Sequence, residues 1–208
     1  MKAIFLGLMY CVAQAGAAEK GFTPLFNGKN LDGWQGVGGP TTNWKIADSV
    51  LSCTGKPGSH WIATRGQYAD FDLRLEFNTP GNGNSGVFIR APKGGAPWVD
   101  GLEIQVLDDH GGKYKTLKPA QYTGSVYAIQ APSKRVTKKA DTWQTMRILC
   151  EGAKCDVWIN GQHVVKANLA ELAKTHEQPG LKRKTGFIGL QNHASPMHFR
   201  NIRVKHLD

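Results

Sequence analysis

From Leu51 onward the chain alternates apolar and polar residues with period two over most of its length. The clearest stretch is Phe71-Asp72-Leu73-Arg74-Leu75-Glu76-Phe77. Its four apolar residues point one way and its three charged residues the other, which predicts a strand with one buried face. Short segments of the same kind lie at 44–47, 50–53, 61–64, 85–91, 102–107, 125–130, 145–150, 155–160, 163–166, 186–191 and 197–205. Turn residues separate them, notably 54–58, Pro80-Gly81-Asn82-Gly83-Asn84 and Asn160-Gly161. The Asn-Gly pair is a two-residue hairpin signal, so 143–166 reads as a meander. Only 168–174, with Leu169 and Leu172 three apart, has a helical look. A dozen short strands and one or two helical turns predict an all-β chain folded as an antiparallel β-sandwich.

The longest apolar run, 3–12, follows Met1-Lys2 and precedes the small residues 13–18. That is the pattern of an export signal cut after Ala17 or Ala18, and the run is too short to span a bilayer. The expected organisation is a signal peptide over 1–18 and one domain over 21–206, exported to the periplasm or beyond, with no integral membrane span. With 208 residues, the chain has room for a single domain of ordinary size.

Charge narrows the partners. Lys and Arg number 26 against 16 Asp and Glu, a formal net charge of +10. The excess gathers in two runs, Lys134-Arg135 with Lys138-Lys139, and Lys182-Arg183-Lys184. No aromatic residues interleave with them, so a nucleic-acid partner is not expected and solvated loops are. Cys150 and Cys155 flank a short loop between two strands. An antiparallel hairpin sets such residues opposite, at a separation a disulfide accepts, and export permits one. Cys53 is then left unpaired.

Candidate chemistry lies where strands that otherwise supply apolar residues carry polar ones. Four segments do so: 84–90, 101–109, 186–193 and 199–202. On the second, strict alternation puts Glu103 and Gln105 on one face and Asp108 on the other, unless a bulge brings all three together. His193 shares a face with Gln191. Arg90 ends an apolar strand. Trp34, Trp61 and Trp98 lie near turns, where an aromatic ring can stack on a sugar face, whereas Trp143 and Trp158 read as core. His110 beside Asp108 and Asp109 is a loose metal-ligand candidate.

Phe22–Trp34 (FTPLFNGKNLDGW), Asn84–Arg90 (NSGVFIR), Glu103–Asp108 (EIQVLD), Asn160-Gly161, Gly189–His193 (GLQNH) and Phe199–Ile202 (FRNI) occur in the order found in the 3-keto-disaccharide hydrolase family. The chain resembles that family from about Gly21 to Lys205. The resemblance implies a concanavalin A-like jelly roll, export in bacteria, a carbohydrate substrate, and cleavage of glycosides already oxidised at C3. The 101–109 segment also resembles the E-x-D-x-x-E of laminarinase-type hydrolases, whose first and last carboxylates do the chemistry. Here Gln105 holds the middle position and Asp108 the last. A retaining pair needs carboxyls about 5–5.5 Å apart, and the short Asp fits that poorly.

A ketone at C3 acidifies the proton on C2. A base removes it, the C1 substituent leaves, and water adds back. That sequence needs a base, a group at the C3 oxygen, and an acid at the leaving oxygen. Glu103 and His193 are the candidate bases, and Asp108 the acid or an orienting group. Arg90, Gln191 or a bound divalent ion would hold the enolate oxygen, with Gln105 and Trp34 contacting the sugar. No cofactor is demanded. The competing readings are a non-catalytic carbohydrate-binding module and ordinary glycoside hydrolysis by Glu103 and Asp108.

Overall fold

The structure, a computed structural model, describes residues 19–56 and 61–207. The expected signal peptide and the end of the 54–58 turn lie outside the described residues. In chain order the strands are β1 (Thr23–Pro24), β2 (Trp34–Val37), β3 (Trp44–Ala47), β4 (Val50–Thr54), β5 (Trp61–Tyr68), β6 (Phe71–Asn78) and β7 (Asn84–Ala91). Then follow helix α1 (Pro97–Asp100), β8 (Leu102–Leu107), β9 (Gln144–Glu151), β10 (Lys154–Ile159) and β11 (Gln162–Asn168). Helix α2 (Leu169–Leu172), β12 (Gly186–Gln191) and β13 (Pro196–His206) complete the chain.

The strands form two antiparallel sheets. One has the order β11-β10-β9-β6-β13-β4-β3, with β1 also paired to β13, and the other β2-β5-β12-β7-β8. They pack as a jelly-roll sandwich. The period-two prediction for β6 is met: Phe71, Leu73 and Phe77 are 0% exposed and Leu75 is 2%. They meet Val87, Ile89, Leu102, Ile104, Val106, Ile188 and Leu190 from the facing sheet in one core. Residues of this size each contribute about 1.5–3 kcal/mol when removed from water, so this inner layer carries most of the stability.

Several expectations are corrected. Trp34 is 2% exposed and sits in this core, its indole Nε1 donating to the Leu25 carbonyl at 2.6 Å. It does not contact a ligand face. Trp143 and Trp158, read as core, are half-buried on the outer face of the eight-stranded sheet. Arginines cover them, Arg200 over Trp143 at 4.0 Å and Arg147 over Trp158 at 4.5 Å. Residues 125–130 form no strand but a tight turn closed by a bridge between Val126 and Gln130. The helical expectation holds only for α2, where Asn168 caps the Ala170 and Glu171 N–H groups, and α1 was not anticipated.

Cys150 and Cys155 stand opposite each other on β9 and β10, as the hairpin requires. Their sulfurs lie 3.7 Å apart as two buried thiols, not as the expected bridge. The neighbouring thiol and burial together push the Cys150 pKa up, which keeps it protonated. Cys53 is buried as expected, and burial raises its pKa to about 11.

Candidate active site

The five-stranded sheet buries one face in the sandwich core, while its other face carries the polar residues. Strand register places them in two rows. Gly189 pairs with Ala63 on one side and Phe88 on the other, and Phe88 pairs with Glu103. Beyond β8, the bridge between Ile104 and Val126 and the bond from Tyr127 N–H to the Glu103 carbonyl (2.9 Å) set Tyr127 beside Glu103. In the adjoining row Trp61 pairs with Gln191, and Gly86 pairs with Gln105. Continuing the register stands Gln191 beside Gly86.

Two glycines let side chains lie flat across this face. A Cβ on Gly86 would come within 2.1 Å of the Glu103 Oε1, so the Glu103 side chain leans over Gly86 toward the other row. A Cβ on Gly189 would come within 2.3 Å of the Trp61 ring. Trp61 therefore covers Gly189 and meets Phe88 edge-on at 5.4 Å. Trp61 is 2% exposed and forms the floor rather than an open stacking platform.

Above this floor is a cavity of about 280 Å³ lined by Asn84, Trp98, Glu103, Gln105, Tyr127, Gln191, Asn192 and His193. Arg90, Glu103, Gln105 and His193 were expected to converge; Glu103, Gln105 and His193 do, with Gln191 beside them, and Arg90 does not. Asn84, Tyr127 and Asn192 were not singled out as site residues, although Asn84 and Asn192 lie in the polar segments of the sequence. Trp98, on α1, is 43% exposed at the rim. The bond from Ala96 N–H to the Asp100 carboxylate at 2.8 Å fastens that short helix. His193 is exposed and also belongs to the rim.

Glu103 dominates the electrostatics. It is 4% exposed, and its carboxyl makes no hydrogen bond or ion pair among the described residues. Burial without a compensating charge pushes its pKa from 4.5 to about 8. Around it, three amide oxygens, Asn84 Oδ1, Gln191 Oε1 and Asn192 Oδ1, are buried with no hydrogen-bond partner among the described residues. Buried polar atoms in folded chains are nearly always satisfied, so unpaired acceptors converging on one cavity mark where a ligand's donors belong.

Three predicted site residues lie elsewhere or are otherwise engaged. Arg90 occupies a bulge on β7, because Ile188 of β12 alone faces both Ile89 and Arg90 of β7 there. Its φ of 50° swings the side chain to the end of the sandwich. There the guanidinium donates to the Arg183 carbonyl at 2.8 Å and to the Gly152 carbonyl. Arg90→Ala is expected to lower the unfolding free energy by about 3 kcal/mol, the scale for two charge-assisted bonds in a buried place. Urea denaturation checks it, and an unchanged midpoint would refute the clamp.

Asp108 is not brought to the Glu103 face, because β8 runs through Leu107 without a bulge. Its carboxylate accepts from Asn82 N–H at 2.9 Å and His110 N–H at 3.1 Å, tying two turns together. His110 Nε2 lies 3.0 Å from the Thr137 carbonyl. Asp109 accepts from Thr123 and Thr137. The loose metal set is thus engaged in folding the loop. Among the described residues no three His, Cys, Asp or Glu side chains gather as a metal site.

A larger cavity, about 370 Å³, lies on the outer face of the eight-stranded sheet, among Arg74, Glu76, Arg147, Trp158 and Arg203. Its charges already satisfy one another. Asp72 pairs with Arg74 at 2.8 Å and Arg147 at 2.9 Å, and Glu76 with Arg200 at 2.8 Å. Burial works to raise the Asp72 pKa, but hydrogen bonds from the two arginines outweigh it and hold the carboxyl below its ordinary range. The uncompensated groups are in the smaller cavity, and chemistry is expected there.

Comparison with known proteins agrees with this fold. Residues 21–205 match the model of the 3-keto-alpha-glucoside-1,2-lyase-like domain. The chain belongs to this family. A 3-keto-disaccharide hydrolase of Bacteroides thetaiotaomicron is 24% identical, over 90% of this chain and 79% of that one. A crystal structure from Parabacteroides distasonis, of a candidate glycosyl hydrolase, has a TM-score of 0.79 at 29% identity and covers 89% of this chain and 99% of the other. The laminarinase of Flavobacterium sp. UMI-01 superposes with a TM-score of 0.55 at 16% identity, covering 87% and 97%. That last likeness concerns the fold alone.

Proposed function

We propose that this family member is a carbohydrate-acting hydrolase that cleaves glycosides carrying a ketone at C3, and that Glu103 is its base. The observation that carries the reading is a buried, unpartnered carboxyl with a pKa of about 8, surrounded by unpaired amide oxygens. Such a group takes a proton readily near neutral pH, which is what abstraction at an activated carbon requires. The amide oxygens of Asn84, Gln191 and Asn192 accept from sugar hydroxyls.

Glu103 takes the C2 proton, and the electron pair moves to the C3 oxygen as an enolate. The enolate re-forms the ketone and a C1–C2 double bond as the C1–O bond breaks. The leaving oxygen gains a proton, for which His193 on the rim is the candidate donor. Water then adds its oxygen to C1 and a proton to C2, giving net hydrolysis. Trp98 faces the sugar or aglycone that departs. Ordinary acid/base hydrolysis by Glu103 with Asp108 is not retained, because Asp108 is spent on backbone N–H groups.

The test is a matched pair of substrates, a 3-keto disaccharide and its unoxidised parent. Cleavage of the ketone exceeding that of the parent by at least about 10³-fold is expected, since the parent's C2 proton has no acidifying carbonyl. Equal rates would overturn the mechanism, and no cleavage of either with measurable binding would leave a carbohydrate-binding module. Export belongs to the same reading. N-terminal sequencing of protein from the native host should begin at Ala18 or Glu19.

A further inference from the structure

With Arg90 removed to the end of the sandwich, no Lys or Arg side chain lines the cavity among the described residues. We propose that Tyr127 and Gln105 form the donor pair that binds the C3 carbonyl and stabilises its enolate. The assignment rests on the 3-keto reading above and specifies how the cavity tells a ketone from a hydroxyl.

A carbonyl or enolate oxygen only accepts hydrogen bonds, so it needs donors, whereas hydroxyls can satisfy acceptors. The cavity separates the two kinds. Asn192 donates Nδ2 to the Lys56 carbonyl at 2.9 Å, which turns its oxygen to the ligand side. Gln105 is fixed the opposite way. Its Oε1 accepts from Val106 N–H at 3.0 Å, leaving the Nε2 protons without a partner among the described residues.

Tyr127 is fixed through a relay. The Lys118 N–H donates to Gln121 Oε1 at 3.0 Å, which obliges Gln121 Nε2 to point the other way. Gln121 Nε2 then donates to the Tyr127 hydroxyl at 3.0 Å. The phenol oxygen is thus an acceptor in that bond, and its own proton has no acceptor among the described residues. Register places Tyr127 directly beside Glu103 and Gln105 two residues further along the same strand. Both donors therefore flank the base on one side of the cavity. The hydroxyl-binding oxygens of Asn84, Gln191 and Asn192 belong to the strand β7 and to the end of β12 and the loop after it. A ring with its C3 oxygen toward Tyr127 and Gln105 brings the adjacent C2 proton to Glu103.

The experiment measures two rates on a 3-keto disaccharide for wild type, Tyr127→Phe and Gln105→Leu. One is cleavage, and the other is exchange of the C2 proton in deuterated water. Each variant is expected to lose about 10²–10³ in kcat, the usual cost of one oxyanion donor, with KM changed only a few-fold. Exchange should fall by the same factor as cleavage, because enolate formation is the step supported. Both variants are expected to keep thermal midpoints within a few degrees of wild type, so lost packing would be recognised. Wild type inert on the ketone overturns the function itself and the assignment with it. Active wild type with variants within threefold overturns the assignment alone. Slowed cleavage with unchanged exchange moves Tyr127 to the leaving group and equally overturns it.

Discussion

Glu103→Gln is expected to lower kcat/KM on a 3-keto glycoside by about 10²–10⁴-fold, the range associated with a positioned general base. The substitution keeps the shape over Gly86 and removes the ability to take a proton. The same change should stabilise the fold, and only at high pH. The folded pKa of about 8 lies above the ordinary 4.5. Between those values the folded chain keeps a proton that the unfolded chain has released, so stability falls as pH rises through that window and is lowest above 8. Each unit of such a shift corresponds to about 1.4 kcal/mol. The melting temperatures of wild type and variant should nearly coincide at pH 4 and diverge progressively to pH 8.5, with the variant higher. In wild type, kcat/KM should rise with pH toward an inflection near 8. A variant that retains full activity, or a gap independent of pH, would contradict the role given to this carboxyl.

Gly86→Ala tests the same site without touching any polar group. The added Cβ would lie 2.1 Å from the Glu103 Oε1 and 2.6 Å from its Cδ. The obstacle is a side chain whose torsions can turn, so the backbone survives and Glu103 moves off the position between the rows. Misplacement by about 1 Å costs on the order of 10²-fold in rate. Activity is expected to fall by about that factor while the thermal midpoint changes little. Gly189→Ala is the contrasting case, because its Cβ meets the Trp61 ring at 2.3 Å and the Ile62 carbonyl at 2.9 Å. There the floor itself must shift, and stability should fall together with activity. If Gly86→Ala keeps wild-type rates, Glu103 does not act from its observed position.

The sandwich was legible because strand periodicity is a local signal. Alternation identifies the buried face of β6 wherever the strand ends up, and it equally puts Glu103 and Gln105 on one side of β8. Convergence of Gln191 and His193 with them followed from the same logic on β12. Arg90 was misplaced because one extra residue in β7 breaks the alternation, and a bulge leaves no mark in a run such as Val87-Phe88-Ile89-Arg90. Tyr127 was missed for the opposite reason. It sits in a segment with no regular strand, held beside Glu103 by an isolated bridge and its backbone bonds to β8.

The motifs that carried the family resemblance are partly structural. In FTPLFNGKNLDGW, Asn27 Oδ1 accepts from Lys29 and Asn30 N–H, and Trp34 fills the core. In FRNI, Arg200 and Asn201 hold Glu76 on the face away from the cavity. Lysines of the two basic runs remain at the surface, but each run has an arginine with a job: Arg135 stacks on Tyr122 at 3.8 Å, and Arg183 donates to the Asp100 carbonyl.

The five-stranded sheet ends at β8 and is continued only by the irregular ribbon that carries Tyr127. Asp108 and Asp109 fasten that ribbon at its root, and the Thr137 and Arg135 contacts fasten its far end. Between these anchors the ribbon is bonded to β8 through Gln105 N–H to the Ser125 carbonyl, Gly124 N–H to the Gln105 carbonyl and Tyr127 N–H to the Glu103 carbonyl, and Val126 is buried in the sandwich core. The wall that carries Tyr127 is therefore built into the folded core and holds its distance from Glu103 through the backbone of β8. A rigid wall of this kind selects a sugar by fixed shape, since Tyr127 cannot move away without breaking the bonds that also hold the strand bearing Glu103.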